Sequence, residues 1–299
     1  MAAERRRGCL PVLVTVGLVL VLAAVAVGAV VALLNRTGSP GPVAERCVAH
    51  LDGTDWSLSP DQAQHAALAA AVATRRGLPA RAVTIGIATA LQESRLENID
   101  YGDRDSVGLY QQRPSQGWGT VEQIMDPVYS TTKFFEGLEQ VDGYQDMAVT
   151  EAAQAVQRSG FPDAYAQHEV RARAWASALT GFSPAALSCT LHPVDAPAGT
   201  EPVLARVARD LGDVAPTVAP ADADAGTPAT VDLPGTALPI DDAARAGWSL
   251  AQWAVAVAAD VGLDAVTVGD STWTRAEPTW QPTGAPPLPA GQVRLTVAG

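Results

Sequence analysis

The chain has few basic residues, few histidines and few cysteines, and each shortage argues against a class of function. Its 20 Lys and Arg residues are outnumbered by 32 Asp and Glu residues, which gives a formal net charge of -12. Because no basic stripe with interleaved aromatic residues occurs, the sequence argues against a nucleic-acid partner. The four histidines, His50, His65, His168 and His192, lack the spacing of metal ligands. We therefore predict no metal site and no cofactor.

A long apolar run follows three consecutive arginines near the N-terminus. Arg5, Arg6 and Arg7 precede segment 10–34, which contains no charged residue. As a helix this segment extends roughly 36 Å, enough to cross a hydrocarbon core of about 30 Å. The arginines favour a cytoplasmic tail at 1–9. The sequence thus predicts a single-pass cell-membrane anchor at 10–34 with the bulk of the chain outside the cytoplasm; a cleaved signal peptide is the alternative.

Two of the three cysteines lie in the part of the chain that this topology places outside, where disulfides persist. A bridge between Cys47 and Cys189 would close a loop of about 140 residues and, in the chain-entropy model, stabilise the fold by roughly 4–5 kcal/mol. We predict this disulfide, which marks the ends of one domain at 47–190. Two unrelated buried thiols are the alternative.

Helix start signals dominate the segment between these cysteines. Ser59-Pro60-Asp61-Gln62 and Thr120-Val121-Glu122-Gln123 both fit the capping box, and Asp126-Pro127 is typical of another helix start. With a short spacer at 35–46 before it, segment 47–190 is predicted to form an α domain of five or more helices. One irregular loop at 98–119 interrupts them.

The C-terminal third changes composition. Segment 191–240 is rich in Pro and Ala and is predicted to be a linker with a short helix at 201–211. Segment 241–299 combines a helix with three short strands, a small α/β module that is marginal alone. Two roles are expected for this module: it either binds the cell wall or a protein partner, or it packs as an appendage on the helical domain. The predicted fold class is therefore mainly α, with an N-terminal transmembrane helix and a small C-terminal α/β module.

Glu93 is the candidate catalytic residue because it ends an apolar helix that contains Ile87 and Leu91. Apolar burial raises the pKa of a carboxyl, and a helix C-terminus also disfavours the carboxylate form. A carboxyl kept protonated in this way suits glycoside cleavage, which needs an acid to protonate the leaving oxygen. The alternative is a solvated glutamate paired with Arg95 or Arg113.

The residues around Glu93 carry a family resemblance. Gln92-Glu93-Ser94 is followed by Gly102-Asp103, by Gly108-Leu109-Tyr110-Gln111 and by Met125-Asp126-Pro127. This order resembles soluble lytic transglycosylases and goose-type lysozymes of the lysozyme-like superfamily, over about residues 51–179. The resemblance implies a lysozyme-like helical fold, peptidoglycan glycan strands as substrate, and Glu93 as the general acid.

The mechanism that the resemblance implies depends on Asp103 and Asp105. An inverting hydrolase needs a second carboxylate about 6.5–9.5 Å from the acid to activate water. Without one, the resemblance implies the transglycosylase route, in which the muramoyl C6 hydroxyl attacks. Alternatively, both aspartates cap backbone amides of a turn. The side chains expected to bind substrate are Ser94, Tyr101, Tyr110, Gln111, Gln112, Trp118 and Gln157, with Tyr129 as a further candidate and a core position as the alternative for Trp118.

One segment departs from the family pattern. The family carries Tyr-Asn-Ala-Gly near the end of a later helix, and that tyrosine hydrogen-bonds the acid; here Gln157-Arg158-Ser159-Gly160 stands in its place. Gln157 is expected to donate to Glu93, whereas Arg158 is expected to lower its pKa. The sequence therefore predicts a membrane-anchored glycosidase or lytic transglycosylase. The alternative is a catalytically silent lysozyme-like fold that binds the cell wall or a protein partner.

Overall fold

The computed structural model describes residues 9–37, 44–159, 163–196 and 199–298. The chain divides into two compact units, residues 1–43 and residues 44–299. Residues 1–8 of the predicted cytoplasmic tail and 38–43 of the predicted spacer lie outside the described residues.

Helix α1 (Cys9–Thr37) occupies the first unit. A membrane crossing takes about 20 consecutive predominantly apolar residues. Over the described ranges, no helix combines the length and the apolar character that a crossing requires. This finding overturns the transmembrane anchor predicted at 10–34.

Eight further α-helices are found among the described residues of the second unit. In chain order they are α2 (Pro60–Arg75), α3 (Ala80–Ser94), α4 (Val121–Ile124), α5 (Pro127–Glu139), α6 (Val149–Gln157), α7 (Glu169–Leu179), α8 (Glu201–Leu211) and α9 (Ala243–Val261). Both predicted capping boxes are confirmed. Ser59 caps α2 with a reciprocal bond to Gln62, and Thr120 caps α4 with one to Gln123.

The strands form two antiparallel sheets. They are β1 (Arg46–Leu51), β2 (Thr54–Leu58), β3 (Leu187–Thr190), β4 (Thr217–Ala219), β5 (Thr230–Pro234), β6 (Leu263–Val268), β7 (Ser271–Thr274), β8 (Gln281–Pro282) and β9 (Gln292–Val297). One sheet has the order β2-β1-β3 and the other β4-β5-β9-β6-β7-β8. With 46% helix and 17% strand, the fold is α+β, so the prediction of a mainly α fold is wrong. The strands are short, and the pairings β1–β3, β5–β9 and β6–β9 join segments that are distant in the sequence, which leaves little local signal for the two sheets.

Helix α3 lies at the centre of the helical part. It packs against α2, α5, α6 and α7, and most of its residues are buried. Gly86 permits the contact with α5, because a Cβ atom at this position would lie 2.9 Å from the Phe135 ring. The end of α3, which carries Glu93, is therefore held by neighbours on several sides.

The predicted disulfide is confirmed. Cys47 on β1 and Cys189 on β3 are directly opposite each other in the register of the two strands and are bonded through their sulfur atoms. Both residues are buried. The bond therefore joins the two ends of the predicted domain 47–190 inside one sheet.

The C-terminal part shares its core with the helical part. Helix α9 packs against α2 and α7 on one side and against β6 and β9 on another. The segment expected to be a linker, 191–240, contains α8, β4 and β5. Asp210 of α8 is fully buried, where it accepts bonds from Arg206 and from the Trp253 indole of α9. Segment 241–299 is thus built into the same compact unit as the helices.

Candidate functional site

Glu93 lies in the last turn of α3, and the residues that follow it turn the chain away from the helix axis and are hydrogen-bonded to α2. Arg95 and Leu96 follow in left-handed conformations, with φ of 58° and 64°. The Gln62 side chain donates to the Arg95 carbonyl at 2.7 Å, and a ring nitrogen of His65 lies 2.9 Å from the Leu96 carbonyl. Both partners belong to α2, so this helix holds the end of α3 in place.

The Glu93 carboxyl is half-buried and meets two side-chain donors. The Tyr165 hydroxyl donates to Glu93 Oε1 at 2.6 Å, and the Gln157 side chain also hydrogen-bonds the carboxyl. Burial raises the pKa of Glu93 above its ordinary value of 4.5, while the bonds from Tyr165 and Gln157 partly oppose this increase. Arg158, expected to lower this pKa, does not contribute to the shift. The site thus favours a protonated carboxyl and still stabilises its anion.

Tyr165 is the residue that sequence analysis missed. It is fully buried and immediately precedes a short 3-10 helix (Ala166–His168) that leads into α7. Burial and the bond to Glu93 raise the pKa of its phenol, which keeps the hydroxyl a donor at neutral pH. The resemblance places the tyrosine that bonds the acid at the position of Gln157, whereas Tyr165 lies eight residues further along the chain. A tyrosine this close to the expected position was the available signal.

Gln157 connects the acid to the segment 108–111. One hydrogen bond from its Nε2 goes to the Tyr110 carbonyl at 2.7 Å. Ser94 makes a second connection, because its buried hydroxyl donates to the Leu109 carbonyl at 2.8 Å. Ser94 therefore holds the loop against α3, and its burial keeps it from substrate, contrary to the expected role.

Two other residues expected to bind substrate are in the core. Tyr110 is 1% exposed and stacks on Phe134 with ring centroids 4.5 Å apart. Gln112 is also 1% exposed and donates to the Ser130 carbonyl. A sugar cannot reach either side chain, so both act by packing the loop against α5.

The remaining aromatic candidates are nearer the surface. Tyr101 is 69% exposed, and its carbonyl accepts a bond from the half-buried Gln111 side chain. Trp118 is half-buried, and its carbonyl accepts a bond from the Tyr129 hydroxyl at 3.1 Å. These four residues keep accessible polar or aromatic surface that a sugar ring can contact.

The two aspartates of the loop differ in what they contact. Asp105 accepts from Arg113 Nε at 2.7 Å and from the Ser115 backbone at 2.8 Å. The Ser115 amide and the Arg113 guanidinium hold the pKa of Asp105 far below its ordinary value. Asp103 is 90% exposed at its side chain, with Arg104 3.8 Å away. Asp105 therefore organises the loop, and Asp103 points into solvent.

The described residues contain no group of three or more His, Cys, Asp or Glu side chains that could hold a metal ion. The chemistry available at Glu93 is proton donation from a half-buried carboxyl whose anion is then stabilised by Tyr165 and Gln157.

The comparisons with known proteins add no relative. No protein-family model matches the chain. No curated protein matches it either. A functional assignment therefore depends on the geometry at Glu93 and on the resemblance in the surrounding sequence.

Proposed function

We propose that this protein cleaves the glycan strands of peptidoglycan with Glu93 as the general acid. The observation that carries the proposal is the 2.6 Å bond between Tyr165 and Glu93, made to a carboxyl whose pKa burial raises. Near neutrality a carboxyl donates a proton only when its environment raises its pKa in this way. The sequence resemblance to lytic transglycosylases and goose-type lysozymes supplies the substrate class.

The proposed reaction begins with the protonated Glu93. Its proton passes to the glycosidic oxygen as the bond from the anomeric carbon to that oxygen breaks, through an oxocarbenium-like transition state. The Glu93 carboxylate left behind accepts bonds from Tyr165 and Gln157. The same carboxylate then takes a proton from the nucleophile, which returns the site to its starting state.

The contacts of the aspartates favour an intramolecular nucleophile. Asp105 is engaged by Arg113 and Ser115, and Asp103 points into solvent. Neither arrangement supports a second carboxylate that activates water. We therefore propose the transglycosylase route, in which the C6 hydroxyl of the muramoyl residue attacks its own anomeric carbon and loses its proton to Glu93.

The disulfide supports a site of action outside the reducing cytosol. Bonds such as Cys47–Cys189 persist in oxidising compartments and are rare in the cytosol. Peptidoglycan lies outside the cytoplasmic membrane, so the proposed substrate and the disulfide require the same compartment.

Digestion of purified sacculi by the full-length protein tests this proposal, with the released fragments analysed by mass. We expect fragments with 1,6-anhydro ends. Glu93→Gln is expected to lower the rate about 10²–10⁴-fold, the usual contribution of a general acid. Glu97→Gln, an exposed glutamate just beyond α3, is the matched control and is expected to keep the wild-type rate.

Three results would count against the proposal. Reducing muramic ends would replace the transglycosylase route with hydrolysis while leaving Glu93 as the acid. An unchanged rate in Glu93→Gln would remove the mechanism. Sacculi that bind the protein but release no fragments would favour the silent, wall-binding alternative.

A further inference from the structure

A cleft of about 440 Å³ lies at the opposite end of α3 from Glu93. Its walls come from the turn between α2 and α3, the segment after α7, and the residues around the start of α9. Pockets of about 300–1,000 Å³ suit small ligands. Arg81, in the first turn of α3, lines the cleft, and about 18 Å of helix separates it from Glu93. The cleft is therefore distinct from the proposed catalytic site.

The charge of this cleft is opposite to that of the protein. The chain carries 32 acidic and 20 basic residues. The residues that line the cleft include Arg81 and Arg245 and no acidic residue. An anionic ligand thus meets positive charge here, whereas it is repelled by the acidic protein as a whole.

Arg245 is the cation available to a ligand. It is half-buried, and among the described residues it forms no ion pair. Asp242, one turn earlier, is engaged with the Arg245 backbone amide at 3.1 Å as the N-cap of α9. A guanidinium that has lost part of its hydration without gaining a carboxylate is incompletely compensated. An incoming carboxylate would supply the missing partner.

Arg81 offers no free donor to a ligand, because its two terminal nitrogens contact protein groups and its Nε, which has no hydrogen-bond partner among the described residues, is buried. One of its terminal nitrogens lies 3.2 Å from Glu169 Oε1, and another donates to the Met147 carbonyl. Its role is to form the wall of the cleft, which leaves Arg245 as the ligand-binding group.

An exposed aromatic ring lies next to Arg245. The guanidinium carbon of Arg245 is 4.7 Å from the ring centroid of Phe182, which is 59% exposed. The backbone fixes this pair, because a Cβ atom at Gly181 would lie 2.1 Å from the Arg245 carbonyl oxygen and Gly181 has a φ of 78°. Only glycine allows the Phe182 segment to approach α9 so closely. The cation and the ring therefore form a preorganised surface.

We propose that this cleft binds a short acidic peptide. One carboxylate pairs with the Arg245 guanidinium, which presents a fork that matches carboxylate geometry. A neighbouring apolar side chain packs against Phe182 and Ile240, which line the cleft with Leu78 and Pro79. An inorganic anion would leave these apolar walls uncovered, and a nucleic acid needs more cations than one unpaired arginine.

Calorimetric titration of the full-length protein tests the proposal. The probe is an acetylated tripeptide of alanine, glutamate and leucine with a free terminal carboxylate. We expect binding that weakens as salt is added, and about a tenfold loss of affinity in Arg245→Gln, as expected for removal of one charge-assisted bond. Arg173→Gln, an exposed arginine of α7 outside the cleft, is the matched control and is expected to bind as the wild type does.

The apolar wall and the charge of the peptide are tested separately. Phe182→Leu is expected to weaken peptide binding while leaving the thermal unfolding temperature unchanged. In an NMR titration with the peptide, the backbone amide signals of Gly77, Leu78, Ala80 and Arg81 are expected to shift. The proposal is wrong if the uncharged, amidated glutamine analogue binds equally well, if inorganic phosphate binds as tightly as the peptide, or if no binding is detected. Because Glu93→Gln is expected to bind the peptide normally, failure here is separate from failure of the glycan-cleaving proposal.

Discussion

The Tyr165 hydroxyl lies 2.6 Å from Glu93 Oε1, although the two residues are 72 positions apart in the chain. The contact joins the end of α3 to the segment that leads into α7. Burial raises the pKa of Glu93, and the Tyr165 bond lowers it. The balance of these two effects sets the pKa of Glu93 and therefore the pH range in which its carboxyl can donate a proton.

Tyr165→Phe removes the hydroxyl and keeps the ring. Because the Tyr165 bond stabilises the Glu93 carboxylate, we expect the pKa of Glu93 to rise further in this variant. The alkaline limb of the pH–rate profile for sacculus digestion then moves to higher pH. Tyr144→Phe, a buried tyrosine with no bond to Glu93, is the control and should leave the profile unchanged. A limb that moves to lower pH in Tyr165→Phe would contradict the assigned role.

Glu93→Gln is expected to stabilise the protein at neutral pH. A carboxyl whose pKa is higher in the folded state than its ordinary 4.5 binds more protons when folded. Its contribution to stability is therefore present below 4.5 and is lost as pH rises through the folded value. Glutamine does not titrate, so the unfolding temperature of Glu93→Gln relative to wild type should increase between about pH 4 and about pH 7. The same difference in unfolding temperature at both pH values would show that burial does not raise the pKa of Glu93.

Asp105→Asn is expected to loosen the loop without abolishing glycan cleavage. The pKa of Asp105 is lowered in the folded state, so its contribution to stability is present at neutral pH and lost on acidification. We expect faster amide hydrogen exchange at Ser115, whose backbone donates to this carboxylate. Asp103→Asn, at a solvent-exposed side chain, serves as the control. Loss of cleavage with normal exchange would instead make Asp105 a catalytic base.

Removal of the Cys47–Cys189 bond is expected to cost about 2–5 kcal/mol of unfolding free energy, since the bond closes a long loop. Chemical denaturation of the double variant Cys47→Ala with Cys189→Ala measures this loss. Cys9→Ala leaves the bond in place and should unfold as the wild type does. A double variant as stable as the wild type would mean that the β1–β3 pairing is sufficient without the bond.

Local sequence signals were reliable where one segment determines its own structure. The capping boxes at Ser59 and Thr120 fixed two helix starts, because the side chain and the backbone amide it caps are three residues apart. Strands β5 and β9 show the opposite case. They pair across about sixty residues, and β5 lies in a segment whose composition is typical of a linker.

The candidate site shows the same division. The position of Glu93 at the end of an apolar helix was evident from the sequence. Of its two donors, Gln157 was expected from the sequence and the Tyr165 hydroxyl was not. Likewise Ser94, Tyr110 and Gln112 match the expected positions but are turned into the core.

By itself, the sequence determined the capped starts of α2 and α4, the pair of cysteines that form the disulfide, and the place of Glu93 at the end of an apolar helix. Each of these depends on residue type and on short or unique pairings. Only the tertiary structure decided that two antiparallel sheets are present, that the C-terminal strands share the helical core, and that Tyr165 donates to Glu93. These depend on which distant segments pack together, because burial and hydrogen bonding between them are set by the whole fold and not by local spacing.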